Sequence, residues 1–250
     1  MKLLSLILVP LIANANLSLT TTKDIDLKRN EIENIKAITI ETIKQNPRLI
    51  AQQISNYQQK KITEEQTLDL ERIKRYKNQI IDKNVISYGN DNADIIIVEF
   101  IDYNCNHCKQ LINNIKKLTF SQKNIKVVVK DLPVLGVSSE NAAKAAIAAS
   151  QQDQYLKYQE QLISAENPYS LESLTEIAGI LKMDKQKFIA DYNSPETMTE
   201  INANKVLAKN LMITATPSIV VVNKNLTFGK IIPGSLNTEQ LKAVLQIKQP

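Results

Sequence analysis

Cys105-Asn106-His107-Cys108 holds both cysteines and the only histidine of this 250-residue chain. Two thiols separated by two residues can close as a disulfide, contribute to a metal site, or exchange electrons with another thiol pair. The run before them, Ile95-Ile96-Ile97-Val98-Glu99-Phe100, reads as a buried strand, and the run after them as a helix. A cysteine at a helix N-terminus meets unpaired N–H groups and the positive end of the helix dipole, and both favour thiolate over thiol. His107 adds a cation or an N–H donor beside Cys105. Stabilising the thiolate stabilises the reduced pair, which makes the disulfide oxidising. Cys105, at the first helical turn, is then the exposed nucleophile that carries a mixed disulfide, and Cys108, one turn deeper, resolves it.

Three other readings compete. A purely structural disulfide would close a very small loop, where loop closure gives the least stabilisation. Structural zinc takes about four ligands, whereas this chain offers two thiolates and a poorly placed His107, so a metal site would need a second subunit. Two persistent free thiols fit poorly with export into an oxidising compartment. Redox exchange therefore leads, and no cofactor or resident metal is expected.

Glu99 lies six residues before Cys105, near the end of the buried strand. It is either a proton relay for Cys108 or a strand-end charge reaching water, because a buried carboxylate is costly unless solvated or paired. Lys130 is its candidate partner. A second motif, Thr214-Ala215-Thr216-Pro217-Ser218, precedes an apolar strand at 219–222. A proline opening a strand is allowed because its missing N–H falls at the edge.

The elements that position these residues fall into two parts behind an export signal. Residues 1–15 read as a secretory signal: Lys2, a short apolar run, then Ala13-Asn14-Ala15, with cleavage expected after Ala15. That run is shorter than the ~20 residues needed to span a bilayer. Residues 16–86 read as an all-α arm. Ile25, Ile32, Ile35 and Ile43 are spaced for one helix face, and a second helix starts at Asn46-Pro47, with Asn46 as its cap. Ile50, Ile54 and Tyr57 form that helix's stripe, and Leu70, Ile73 and Ile80 continue beyond Ile62. So narrow a stripe cannot build a core. It must meet either the following domain or another copy of itself, and self-association is the sharper expectation.

Residues 87–250 read as an α/β domain. A turn at 89–92 precedes the strand at 95–100, the helix carrying the cysteines, and a strand at 125–129. A helical insertion occupies about 137–212, followed by strands at 218–222 and 228–232 and a closing helix with Ser235 or Asn237 near its cap. Four such strands coming together form one sheet covered by helices. The net charge of +5 is spread along the chain with acidic residues interleaved, which argues against nucleic acid as a partner.

Three stretches resemble the DsbA-like branch of the thioredoxin superfamily: 98–109 around the cysteines, Leu132-Pro133-Val134-Leu135-Gly136 with the alanine-rich helix after it, and Ala215-Thr216-Pro217-Ser218. The resemblance implies a thioredoxin fold with a large helical insertion. It implies that Cys105 is the nucleophile and Cys108 its resolving partner, that Glu99 is the family's acidic residue, and that Pro217 is the cis-proline against the disulfide that helps hold the substrate backbone. The helical arm resembles the extended, ScsC-like subgroup, several of whose members assemble through it. Two departures bear on direction: Asn106 follows the nucleophile where the strongest oxidases carry proline, and Thr216 resembles the disulfide isomerases. The implied activity is a periplasmic thiol:disulfide oxidoreductase that forms and isomerises disulfides in unfolded or misfolded exported proteins, works as a homo-oligomer through residues 16–86, and is recycled by a membrane redox partner. The competing classes are a secreted surface or binding protein that assembles through its arm, and a metal carrier using Cys105 and Cys108 in an oligomer.

Overall fold

The computed structural model describes residues 28–81, 85–165 and 169–246. The expected signal at 1–15 and Ile25 lie outside them. The chain divides into two compact units, one up to Lys60 and one from Lys61.

The described part of the first unit is helical. Helix α1 (Arg29–Gln45) buries none of its residues, and α2 (Pro47–Arg75) begins where Asn46-Pro47 directs. Asn46 does not cap α2 through its side chain as expected. Its amide Nδ2 donates to the Thr42 carbonyl at 2.8 Å and closes α1, while its own carbonyl accepts from Leu49 N–H at 3.1 Å. Ile35, Ile40, Ile43, Ile54 and Tyr57 are all about half exposed or more. Ile32, Ile38, Leu49 and Ile50 are exposed as well, so the described part of the first unit hides almost no apolar surface of its own.

The second unit is a sheet with both faces covered. After α3 (Lys77–Ile81) come β1 (Ser87–Gly89), β2 (Ile95–Ile101), α4 (Asn106–Ser121) and β3 (Ile125–Asp131). The insertion follows as α5 (Val137–Ser150), α6 (Tyr155–Ser164), α7 (Leu171–Ile180), α8 (Lys185–Tyr192) and α9 (Pro195–Asn210), and the chain closes with β4 (Ser218–Asn223), β5 (Gly229–Pro233) and α10 (Thr238–Gln246). Among the described residues the sheet has five strands in the order β1-β3-β2-β4-β5. The two central strands, β2 and β3, are parallel and joined through α4, and every other pairing is antiparallel. β1 is the strand missing from the sequence reading: three residues ending at Gly89 (φ 95°) carry no apolar period, and only pairing with β3 makes them a strand.

Strand alternation divides the core. Ile97, Val127, Ile219 and Val221 face α4 and α10, while Ile101 and Val129, further along the same face, join Cys108, Ile112 and the insertion helices. Val98, Phe100, Val128 and Val220 face the other way, against Leu207 of α9 and Leu211 just after it. Cover on both faces explains the near-continuous apolar strands that made β2 and β4 legible.

Ile73 and Ile80 complete that second face and are fully buried. Of the two fates open to the arm's stripe, these residues take the domain. The last turns of α2 also guard the open edge of the sheet. Asp69 Oδ2 accepts from Ile231 N–H of β5 at 3.0 Å, and Asp69 is itself paired with Arg72 at 3.2 Å. The close approach relies on Gly229, where a Cβ would stand 2.8 Å from Ile73 Cδ1 and 3.1 Å from Leu70 Cδ1.

Candidate active site

β2 ends at Ile101, and the four residues after it carry the chain from the sheet into α4. Cys105 is the N-cap of α4 rather than a residue of its first turn, and its Sγ accepts from Cys108 N–H at 3.3 Å. Its thiol faces the carbonyl of Thr216 at 3.6 Å. The Thr216–Pro217 peptide is cis, and the Pro217 carbonyl accepts from Gly234 N–H at 2.8 Å. The structure thus brings Cys105, Cys108 and Thr216-Pro217 together across 111 residues of sequence.

The two thiols are unequal. Cys105 is part-exposed and Cys108 fully buried, and they are not bonded to each other here. Burial, then the hydrogen bond with Cys105, pushes the Cys108 thiol far above its ordinary value. His107 points outward from the start of α4 and, among the described residues, makes no hydrogen bond or ion pair, so it is not assembled with the sulfurs. Among the described residues, no three His, Cys, Asp or Glu side chains gather as a metal site.

Glu99 does not reach water. It is completely buried on β2, between Val129 of β3 and Ile219 of β4, on the sheet face that also carries Ile101. Neither of its oxygens has a hydrogen-bond partner. The Tyr88 hydroxyl and the Gln159 amide act on it from nearby without closing a bond, and both are themselves buried and unpartnered. Burial raises the Glu99 carboxyl to about 8, against the opposing pull of Lys116 on α4. The expected pairing with Lys130 is not the one found. Lys130 is in register with Phe100, one residue on, so its side chain leaves from the opposite face. Its charge acts instead on Asp131 and Glu200.

Two groups at this site escaped the sequence reading. Asp102 sits at the end of β2 with its N–H directed at Cys108 Sγ, 3.5 Å away. Its Oδ1 accepts from Asn104 N–H at 2.8 Å and Ser139 Oγ at 2.7 Å. Its Oδ2 accepts from Val134 and Leu135 N–H at 2.8 and 3.0 Å. One buried carboxylate therefore ties the loop before α4 to the loop after β3 and to the start of the insertion. Asp131 is the second: fully buried, it accepts from Tyr155 Oη at 2.9 and 3.0 Å, and Tyr155 meets Tyr103 Oη at 3.1 Å. Burial raises its carboxyl to about 7.

A family model described as Thioredoxin matches residues 82–246. The chain is 26% identical over 153 residues to the Probable disulfide bond formation protein D of Bacillus anthracis, covering 56% of this chain and 70% of that one. It is 25% identical over 159 residues to the Na(+)/H(+) antiporter NhaA of Herminiimonas arsenicoxydans, covering 63% of this chain and 24% of the antiporter. The chain therefore spans about a quarter of that relative's length, and none of its described helices is long and apolar enough to cross a membrane. Among solved structures, the thiol-disulfide exchange protein alpha-DsbA2 from Wolbachia pipientis matches with a TM-score of 0.66 at 28% identity, covering 72% of this chain and 96% of that one. ScsC of Proteus mirabilis, in a transitional conformation, matches with a TM-score of 0.61 at 22% identity, covering 90% of this chain and 97% of that one, a likeness of fold alone.

Proposed function

The chain belongs to the thioredoxin family, and from that premise we propose that it is a thiol–disulfide oxidoreductase of the DsbA and ScsC type, acting through Cys105 and Cys108. The α/β fold with a helical insertion that the sequence implied is the fold observed. The observation that carries the reading is the asymmetry of the pair: an accessible sulfur at a helix N-cap beside the Thr216 carbonyl, and a buried sulfur whose thiol is held far above its ordinary range. A scaffold with an inert pair would not need its first sulfur at the surface.

In the forward direction a substrate thiolate attacks Cys105 Sγ of the disulfide. The Cys105–Cys108 bond breaks, a mixed disulfide forms on Cys105, and the electron pair leaves on Cys108. Cys108, so unfavourable as an anion where it lies, takes a proton. Glu99, neutral up to about pH 8 on the same sheet face, is the proposed donor, with the unpartnered Tyr88 and Gln159 as its buried polar neighbours. A second substrate thiolate then attacks the mixed disulfide and releases Cys105 as a thiolate that Cys108 N–H and the start of α4 receive. The substrate dithiol loses two electrons and the protein gains them. Run from the reduced protein, attack of Cys105 on a wrong disulfide followed by resolution within the substrate shuffles it with no net electron transfer. Thr216 and Asn106 support a share of this isomerase activity. Pro217 is proposed to lie against the substrate backbone, and His107, exposed beside the pair, to meet the substrate.

The proposed compartment is the bacterial periplasm, supported by the export signal read at 1–15. The proposed substrates are unfolded or misfolded exported proteins, with a membrane redox partner for recycling and a homo-oligomer formed through the arm. The exposed Ile35, Ile40, Ile54 and Tyr57 support that assembly. Incubating the oxidised protein with a two-cysteine peptide tests the activity: the peptide becomes oxidised, and Cys105→Ser abolishes it. Full activity in Cys105→Ser would overturn the proposal.

A further inference from the structure

Two residues before Thr216, at Thr214, the chain borders a cleft of about 310 Å³ that the exchange chemistry leaves unassigned. Its walls are the loop after β3, the last turns of α9 and the segment that leads to Thr216. Leu132 and Val134 come from the loop tied to Asp102, and Met212 and Ile213 from the approach to Thr216. Over this apolar floor stand two cations of α9, Lys205 and Lys209. Lys205 reaches the Glu140 carboxylate at 3.5 Å, a long contact, while Lys209 is exposed with no ion pair among the described residues. The apolar surface runs on past the cleft, since Val134, Leu135 and Met212 are all more than half exposed.

We propose that this cleft selects an acidic side chain near the reacting cysteine of the substrate polypeptide, the alkyl stem lying on Val134 and Met212 and the carboxylate meeting Lys205 and Lys209. The inference rests on the exchange reading and names the substrate class of the same site. Thr214 lines the cleft and is two residues from Thr216, whose carbonyl faces Cys105 Sγ. An extended chain advances ~3.3–3.6 Å per residue, and alternate side chains share a face. The chain bends at Ala215 and Thr216, so the cleft lies within about two residue lengths of Cys105 Sγ, and a substrate backbone passing Thr216 in extended form carries the side chain two positions from its cysteine to the cleft. A pocket with an apolar floor and a cationic rim complements glutamate: burying the stem is favourable, and the carboxylate keeps its charge against two ammonium groups. A lysine there would meet like charge.

Peptides with one cysteine and Glu, Gln or Lys two positions away, on either side, test this with the full oxidised chain. Each peptide's rate is divided by its rate with a small neutral disulfide, which removes the effect of the charge on the peptide's own thiol, and each protein's rate by its rate with a neutral thiol. The Glu peptide on one side of the cysteine should lead the Gln peptide by about 3- to 5-fold, as expected for partly exposed charges, and the Lys peptide should trail. High salt should erase the order, and Lys209→Glu should reverse it. Equal normalised rates for Glu, Gln and Lys, or an order that Lys209→Glu leaves intact, would overturn the inference while leaving exchange standing. No reaction with any thiol would instead sink the exchange reading itself.

Discussion

Replacing Glu99 with Gln keeps the shape of the side chain and removes its titration. In the folded protein burial raises this carboxyl from 4.5 to about 8, and in the unfolded chain it returns to its ordinary value. Between those two values the folded state holds one more proton than the unfolded state, so the stability associated with Glu99 is fully present below about pH 4.5 and is lost as pH rises through the window. Integrating between about pH 5 and pH 7.5 gives a loss on the order of 3 kcal/mol for this group. Asp131, raised from 3.8 to about 7, loses stability over an overlapping window. The wild-type chain therefore weakens from both sources, and Glu99→Gln should remove roughly half of that pH dependence. Urea unfolding of the wild type and of Glu99→Gln at both pH values, with the cysteines held in the same redox state, reads the difference. The variant should lose on the order of 3 kcal/mol less than the wild type across the interval. Parallel losses in the two proteins would refute the placement of an uncompensated carboxyl in the core on β2.

Asp102 should be intolerant of even its amide. Asn can keep only one of the two accepting oxygens that hold Asn104, Ser139, Val134 and Leu135, so Asp102→Asn and Asp102→Ala should each cost about 3 kcal/mol in urea unfolding, and a wild-type midpoint for either would contradict the tie. Gly229→Val should cost about 1–3 kcal/mol by driving a side chain into Ile73 and Leu70, again read by unfolding, and an unchanged midpoint would mean that α2 does not lie against β5. For the arm, Ile35→Asp with Ile54→Asp should lower the oligomeric state in analytical ultracentrifugation, and a wild-type mass would remove those faces from the assembly. Removing residues 16–60 leaves Ile73 and Ile80 in the core and should give a monomer that oxidises a dithiol but repairs scrambled disulfides poorly. Equal repair would dissociate isomerisation from the arm.

What was legible in the sequence was whatever neighbouring residues determine. The cysteines, the strand before them and the helix after them are adjacent, so their placement followed from local pattern, and the insertion helices followed from theirs. What was missed depends on register and distance. The partner of Glu99 turns on whether Lys130 lies level with residue 99 or residue 100, and a single step of register moves it to the other face. Asp102 looks like an ordinary loop acid because all but one of the groups it holds, Asn104 N–H excepted, lie 32 to 37 residues away. The apolar stripe at Ile73 and Ile80 was visible, but the surface it would meet was not, since one period serves a neighbouring domain or a second copy equally well.

Exchange through a part-exposed Cys105 resolved by a buried Cys108 is most directly tested by trapping the intermediate. Reduced Cys108→Ser is mixed with a disulfide-bonded protein, and the covalent product is mapped by peptide mass spectrometry. A stable mixed disulfide on Cys105 is predicted, absent from the wild type, where Cys108 releases it. No adduct on Cys105, or an adduct that persists equally in the wild type, would contradict the assignment.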